Sequence, residues 1–241
     1  MPTTAHPRPT EHTTSDAASD KGPRAVNADA LATRTDAATG RSAFVVADGV
    51  GDHLLAARAA RLVARTAATS AVRLGAVEGL IRAQRELTTQ FGQTEADAVL
   101  VVAVYPPAGG DEEVSEIAWV GDCRAYRWNG RVLHQVTTDH TLAEFWRSRG
   151  RRPTARMEHI VTGSARTAGE NDIGHARIGA GPGRLLLSSD GVHKSLELTA
   201  IRDLLAGATS AAAAARSLVD AAREHGSTDN ATALVVDRLL G

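Results

Sequence analysis

Short apolar runs bounded by glycine, asparagine or acidic residues recur along the chain and predict β-strands. Residues 98–105 are apolar without interruption, which is typical of a strand covered on both faces of its sheet. Asn129-Gly130 is a strong hairpin signal between two such runs. The predicted strands lie at residues 23–31, 44–48, 98–105, 114–120, 123–128, 132–136, 184–189 and 231–237.

Longer segments carry apolar residues three and four positions apart, the spacing of a buried helix face. The first such segment starts at His53 and ends near Leu74. Asp52 precedes it, and we expect this carboxylate to be the N-cap that accepts from free backbone N–H groups. The other predicted helices lie at residues 77–91, 142–148, 198–206 and 210–224.

The order of these elements predicts the fold class. Runs of strands interleaved with pairs of helices do not suit a regular βαβ alternation. Two packed antiparallel sheets, each covered outside by helices, would bury the continuously apolar strands on both faces. The sequence therefore predicts an α+β fold of this kind.

Composition divides the chain into a tail and a domain. Residues 1–22 are rich in Thr, Ser, Asp and Pro and nearly empty of large apolar residues, which predicts a disordered tail. Residues 23–241 are expected to form a single domain. Within it, residues 139–183 carry seven arginines and several glycines, and a connection of this length predicts a flap.

Overall charge and cysteine usage narrow the class of protein. A formal net charge of -1 gives no general attraction to nucleic acid or to an anionic membrane, and no apolar run has the length of a membrane span. Cys123 is the single cysteine, so no disulfide forms within the chain and a reducing compartment fits best. A cytoplasmic protein is expected.

Aspartates stand where several predicted strands end. Three strands end at Asp48, Asp122 and Asp190, and the last strand begins just after Asp229. An isolated aspartate in such a place is more often a cap or a turn residue. Antiparallel pairing, however, sets the end of one strand beside the start of its neighbour, so the four carboxylates can gather at one rim. Crowded carboxylates need a cation, and oxygen ligands suit Mg²⁺ or Mn²⁺ far better than zinc.

Five segments occur along the chain in the order VVADGVGDH, VGDCRAYRW-NG, TTDHT, LLLSSDGV and DNATALVV. Together they resemble the metal-dependent type 2C protein serine/threonine phosphatases, the PPM family, in its bacterial form. The resemblance covers about residues 23 to 238 and implies a four-layer α-β-β-α sandwich. It also implies two Mn²⁺ or Mg²⁺ ions, often a third in bacterial members, and a phosphorylated protein substrate that a serine/threonine kinase produces.

The resemblance also implies roles for single residues. Asp48 would bridge two metal ions, and the carbonyl of Gly49 would bind one of them. Asp190 and Asp229 would complete the first metal site. Asp122, together with Asp190, would hold the third ion. A metal-activated hydroxide would then attack phosphorus in line, without a protein nucleophile.

Residues around these ligands receive supporting roles from the same resemblance. Arg24 would grip the substrate phosphate, and Asp29 and Asn230 would support the metal ligands. His53 and His140 are candidates for protonating the leaving alkoxide, although a packed or supporting histidine is the commoner case. Cys123 is expected to be a small buried residue rather than a phosphatase nucleophile.

One position departs from the family pattern. The chain has Asn27-Ala28-Asp29 where the family usually has Asn-Glu-Asp, so the glutamate that supports the second metal ion is missing. This departure keeps open the alternative of a weakened pseudophosphatase that binds a phosphoprotein or a kinase. A further alternative is a hydrolase of a small phosphate ester or a nucleotide.

Overall fold

The computed structural model describes residues 11–92, 94–108 and 114–240. Two five-stranded antiparallel sheets pack face to face, and helices cover their outer sides. This arrangement confirms the predicted α+β sandwich of four layers. No helix in the described part of the chain has the length and apolar character to cross a membrane.

The first sheet carries two long helices on its outer side. The helices are α1 (Leu54–Leu74) and α2 (Ala76–Phe91). Their alanine-rich faces pack on side chains such as Val45 and Leu100. In spatial order, the strands are β2 (Asp29–Thr35), β3 (Ser42–Gly49), β4 (Ala98–Tyr105), β5 (Val114–Val120) and β8 (Gly174–Gly179).

The second sheet is covered by three helices, and a further short helix lies in the connection between the sheets. The covering helices are α4 (Asp190–His193), α5 (Leu198–Gly207) and α6 (Ala211–Glu224), and the connection contains α3 (Leu142–Arg147). In spatial order, the strands are β1 (Glu11–Asp20), β10 (Ala231–Leu240), β9 (Gly183–Ser188), β6 (Arg124–Trp128) and β7 (Leu133–Gln135).

The central core lies between the two sheets. Phe44 and Val46 point into it from β3, and Leu185 and Leu187 point into it from β9. Alternate residues of the same strands face the helices, so both sides of β3, β4 and β9 are buried. The continuous apolar runs in the sequence are explained by this two-sided burial.

Part of the predicted tail is a strand. The prediction of disorder is wrong for residues 11–20, because β1 pairs along its whole length with β10. Its backbone hydrogen bonds complete the edge of the second sheet. Ala17 packs against the core between the sheets, and Ala18 packs against the core between the second sheet and its helices. Such a strand needs few large apolar side chains, which is why composition missed it. Residues 1–10 lie outside the described residues.

The segment predicted as a flap contains regular structure. It includes α3, 3₁₀ turns at Ala155–His159 and Glu170–Asp172, and the edge strand β8. Two of its arginines are engaged locally: Arg149 lies 3.5 Å from the ring centroid of Phe145, and Arg151 lies 4.8 Å from that of Trp146. Because β8 pairs with β5, the last part of residues 139–183 belongs to the first sheet, and the connection without strands is shorter than predicted.

Candidate metal centre

A cavity of about 550 Å³ opens at one rim of the sandwich. Asp48, Asp122, Asp190 and Asp229 all line it. The structure therefore brings together the four aspartates that the sequence placed at strand ends. Gly49 also lines the cavity, directly after Asp48 at the end of β3.

Strand register explains why these carboxylates meet. Ser188, at the end of β9, pairs with Arg124 at the start of β6, so the residues just beyond them, Asp190 and Asp122, are neighbours. The same strand pairs with β10, whose first residue follows Asp229 and Asn230.

Two glycines allow the segments around the cavity to approach closely. A Cβ atom on Gly191 would collide with the backbone of Asn230, and one on Gly49 would collide with the backbone of Ala56 at the start of α1. The glycine after Asp48 and the glycine after Asp190 thus have a packing reason beyond turn formation.

Burial and mutual repulsion raise the pKa values of three of the cavity carboxylates. Loss of solvent raises the pKa of Asp48 well above its ordinary value, and the charges of neighbouring aspartates raise it further. Burial is also the main cause of the raised pKa values of Asp122 and Asp229. The fully ionised cluster is therefore unfavourable unless positive charge balances it.

Asp29 is a buried carboxylate next to this cluster. It pairs with Asp48 across strands β2 and β3, and its Oδ2 accepts a hydrogen bond of 2.6 Å from Ser189 Oγ. Burial raises its pKa to about 7. Among the described residues, its Oδ1 and Asp190 Oδ1 are buried carboxylate oxygens without a hydrogen-bond partner. Oxygens of this kind are what a bound cation would satisfy.

Two basic side chains lie among the carboxylates. Arg24 Nη2 donates to Asp229 Oδ2 at 2.6 Å. Lys194 Nζ donates to Asp122 Oδ2 at 2.6 Å and to Asp190 Oδ2 at 2.9 Å. Lys194 is a residue that the sequence analysis missed, although its spacing of four from Asp190 on a helix is a recognised ion-pair signal.

The donor set fits Mg²⁺ or Mn²⁺. It consists of aspartate oxygens and the Gly49 carbonyl, without sulfur ligands, and hard divalent ions prefer such oxygens. No group of three acidic, histidine or cysteine side chains converges closely enough to enclose an ion within residues 11–92, 94–108 and 114–240. Arg24 contacts one of the cavity carboxylates and Lys194 contacts two, so these basic side chains take up oxygens that an ion could otherwise bind.

Asn230 holds the segment before β2 over the cavity. Its Oδ1 accepts a hydrogen bond of 2.8 Å from Ala28 N, and its Nδ2 donates to the carbonyls of Lys21 and Val26. This clamp fixes the loop that carries Arg24. The structure thus places Asn230 as a residue that orients the loop.

Neither histidine considered from the sequence lines the cavity among the described residues. His53, rather than Asp52, is the N-cap of α1, and its Nδ1 accepts from Ala56 N at 3.1 Å. Asp52 instead accepts weakly from the backbone of residues 25 and 26. His140 lines a separate cavity of about 400 Å³, and its Nδ1 accepts from Gly121 N at 3.4 Å.

His159 is the histidine that lines the carboxylate cavity. It ends the 3₁₀ turn that precedes the pairing of Val161 with Thr141. No motif in the sequence marked this residue, because its position depends on how the connection folds back over the rim.

Ala28 does not face an open ligand position. Its side chain is 1% exposed and packs in a small cluster with Ala56 and Ala57 of α1. Cys123 is also buried, and burial together with the neighbouring aspartates raises the pKa of its thiol well above the ordinary value. A thiolate nucleophile is therefore unfavourable at this position.

No family model matches the sequence, and no curated protein matches it. Solved structures do match. PppA, described as a key regulatory component of T6SS in Pseudomonas aeruginosa, is 26% identical with a TM-score of 0.75, and the match covers 95% of this chain and 99% of that one. The PPM Ser-Thr phosphatase MsPP from Mycobacterium smegmatis, in complex with cacodylate, is 26% identical with a TM-score of 0.72, over 95% and 98%.

The catalytic domain of the serine threonine protein phosphatase PstP, in complex with two manganese ions, is 22% identical with a TM-score of 0.76, and the match covers 95% of this chain and all of that one. The two-sheet sandwich is thus the fold of the PPM-type serine/threonine phosphatases. The family resemblance predicted from the five motifs is confirmed: the chain is similar throughout its architecture to bacterial members of that class.

Proposed function

We propose that the chain is a metal-dependent protein phosphatase that hydrolyses phosphoserine and phosphothreonine. The observation that carries the proposal is the cavity lined by Asp48, Asp122, Asp190 and Asp229 with Arg24 at its side, in the PPM fold. The PstP neighbour binds two manganese ions, and we extend a requirement for two Mn²⁺ or Mg²⁺ ions to this chain.

Asp48, the Gly49 carbonyl, Asp190 and Asp229 are the groups that would hold the ions. When bound, the ions supply a water acidified enough to act as the nucleophile at neutral pH, and they stabilise charge on the phosphoryl oxygens. Asp29, which pairs with Asp48 across strands β2 and β3 and accepts a hydrogen bond from Ser189 Oγ, would support these ligands.

Two further side chains act on the substrate. Arg24 can transfer its hydrogen bond from Asp229 to a phosphate oxygen, since a guanidinium matches phosphate as well as carboxylate. His159 lines the cavity and is placed to donate a proton to the leaving serine or threonine oxygen. The substrate is a protein phosphorylated by a serine/threonine kinase, in the cytoplasm.

The test is hydrolysis of p-nitrophenyl phosphate with millimolar Mn²⁺. The wild-type protein should turn over, and an Asp190→Asn variant should not. Phosphopeptides assayed beside the small ester separate a protein phosphatase from a small-ester hydrolase. Binding of phosphopeptides without turnover above the Asp190→Asn control would contradict the proposal and favour a pseudophosphatase.

A further inference from the structure

Lys194 is unusual in this chain. Lysine and arginine together number 27, but only Lys21 and Lys194 are lysines. Lys194 follows the last residue of α4, and its backbone N–H donates to the Asp190 carbonyl at 2.9 Å. The short helix thus fixes the side chain one turn from Asp190, on the side of the cavity.

The ammonium group of Lys194 bridges two cavity carboxylates. Its distances are 2.6 Å to Asp122 Oδ2 and 2.9 Å to Asp190 Oδ2. The three side chains are 15%, 5% and 14% exposed, respectively. These ion pairs are therefore largely buried rather than solvated at the surface. The ammonium of Lys194 balances the charge of both carboxylates.

The bridged carboxylates are the two that the family resemblance assigned to a third metal ion. A compact ammonium between two carboxylates occupies the space, and uses the oxygens, that such an ion would need. It also contributes positive charge whether or not metal is present. Asp190 keeps its unpartnered Oδ1 for an ion on its other side.

We infer that the Lys194 ammonium takes the place of a third metal ion between Asp122 and Asp190. The inference rests on the proposed metal-dependent function for the nature of the ions that the remaining aspartates hold. Its consequences are that Asp122 is not a metal ligand in this protein and that Lys194 limits the number of ions bound.

The first test counts metal ions. Chelated protein is dialysed to equilibrium against millimolar Mn²⁺, and bound manganese per chain is measured by mass spectrometry. Lys194→Met, which keeps the length of the side chain but removes its charge, should bind one ion more than the wild type. Lys194→Arg, which keeps the charge, should match the wild type. An equal count in Lys194→Met and wild type overturns the inference.

Asp122 supplies a second variant that keeps Lys194 in place. Asp122→Asn should leave the manganese count of the wild type unchanged, whereas in the Lys194→Met background it should remove the extra ion. Loss of an ion from the single Asp122→Asn variant would show that Asp122 is a ligand and would also overturn the inference. The single Asp122→Asn variant decides the question even if Lys194→Met fails to fold.

Activity is followed separately on the same samples. A wild-type protein without p-nitrophenyl phosphate hydrolysis would reject the proposed function, while the difference in manganese count between variants would still decide the role of Lys194. Conversely, the wild type could be active while Lys194→Met binds no additional ion. That result would support the proposed phosphatase activity and reject the inference that Lys194 replaces a metal ion.

Discussion

The guanidinium of Arg24 contacts the carboxylate of Asp229 at 2.6 Å, which joins the expected phosphate-binding residue to an expected metal ligand. The side chains are 36% and 41% exposed, so solvent screens the pair and it is easily opened. Binding of a cation to Asp229 would release Arg24, and a phosphate could then take its hydrogen bonds. The pair thus couples the two binding events.

Replacing Arg24 tests this coupling. Arg24→Met should raise the KM for p-nitrophenyl phosphate about tenfold, the equivalent of about 1.4 kcal/mol, because a charge-assisted contact to phosphate is lost. The half-saturating Mn²⁺ concentration should stay the same or fall, since a competing cation has left Asp229. Arg131→Met, an exposed change outside the cavity, is the control. A higher metal requirement with unchanged KM would contradict the assignment.

The gathering of the aspartates could be predicted because two local rules suffice. Each strand end is marked by an apolar run that stops on an aspartate, and antiparallel pairing sets strand ends beside strand starts. The two-sided burial of β4 is visible in its uninterrupted apolar residues. The predicted N-cap of α1, Asp52, was one residue from the observed cap, His53. Both side chains offer an acceptor, and only the geometry of the loop selects between them.

The remaining features depend on contacts that are distant in sequence. Strand β1 is held by backbone hydrogen bonds to β10, which leave little trace in composition. His159 reaches the cavity because its connection folds over the rim. The packing of Ala28 against α1 could not be predicted from the motif. The motif shows that the usual glutamate is missing, but it does not show which residues pack around the alanine in its place.

Metal removal should lower stability. Burial and repulsion raise the pKa values of Asp48, Asp122 and Asp229, and divalent cations would relieve this strain. At a concentration about one hundred times Kd, Mn²⁺ should stabilise the fold by about 2.7 kcal/mol. For a chain of this size the Tm should rise by roughly 5–10 °C over the chelated protein in a thermal scan.

The same scan on Asp190→Asn should show most of that rise lost, because the variant removes a central ligand. Asp203→Asn, on the exposed side of α5, should keep the full rise. An undiminished rise in Asp190→Asn would place the stabilising ions elsewhere on the protein.

His159 should affect the leaving group. His159→Asn should slow hydrolysis of phosphoserine peptides, whose alkoxide must be protonated, by about a hundredfold. Hydrolysis of p-nitrophenyl phosphate should change little, because nitrophenolate leaves without a proton. His134→Asn, an exposed position on strand β7, serves as the control. Equal losses on the two substrates would assign His159 a role other than proton donation.

His140 should give the fold a dependence on pH. Burial lowers its pKa from the ordinary value of 6.5, so the folded state favours the neutral imidazole, whose Nδ1 accepts from Gly121 N. The stability it contributes is complete above pH 6.5 and is lost as the pH falls toward the lowered folded pKa, because the unfolded chain takes up the proton first.

Urea unfolding of chelated protein at several pH values around 6.5 measures this effect. The free energy of unfolding should fall on acidification in the wild type and fall less in His140→Asn, whose side-chain oxygen can still accept the hydrogen bond. Buried His193, whose pKa is also lowered by burial, titrates in both proteins and cancels in the comparison. Identical pH profiles for the two proteins would remove His140 from this role.

Ala28 separates two accounts of the departure from the family motif. If Ala28 merely lacks a ligand, Ala28→Glu should lower the half-saturating Mn²⁺ concentration about tenfold, equivalent to about 1.4 kcal/mol. The structure favours a different outcome, because the methyl group is 1% exposed and packs on Ala56 and Ala57. A longer side chain would overpack this cluster at a cost of about 1–3 kcal/mol, which lowers the Tm by roughly 2–12 °C.

Ala28→Gln is the matched comparison, since it has nearly the volume of glutamate without its charge. We expect both variants to melt at lower temperature and neither to need less Mn²⁺ than the wild type. A lower metal requirement in Ala28→Glu alone would show that the carboxylate reaches the second ion despite the packing. The cluster of Ala28, Ala56 and Ala57 would then be able to rearrange and admit a metal ligand, and its packing would not explain why the glutamate is missing.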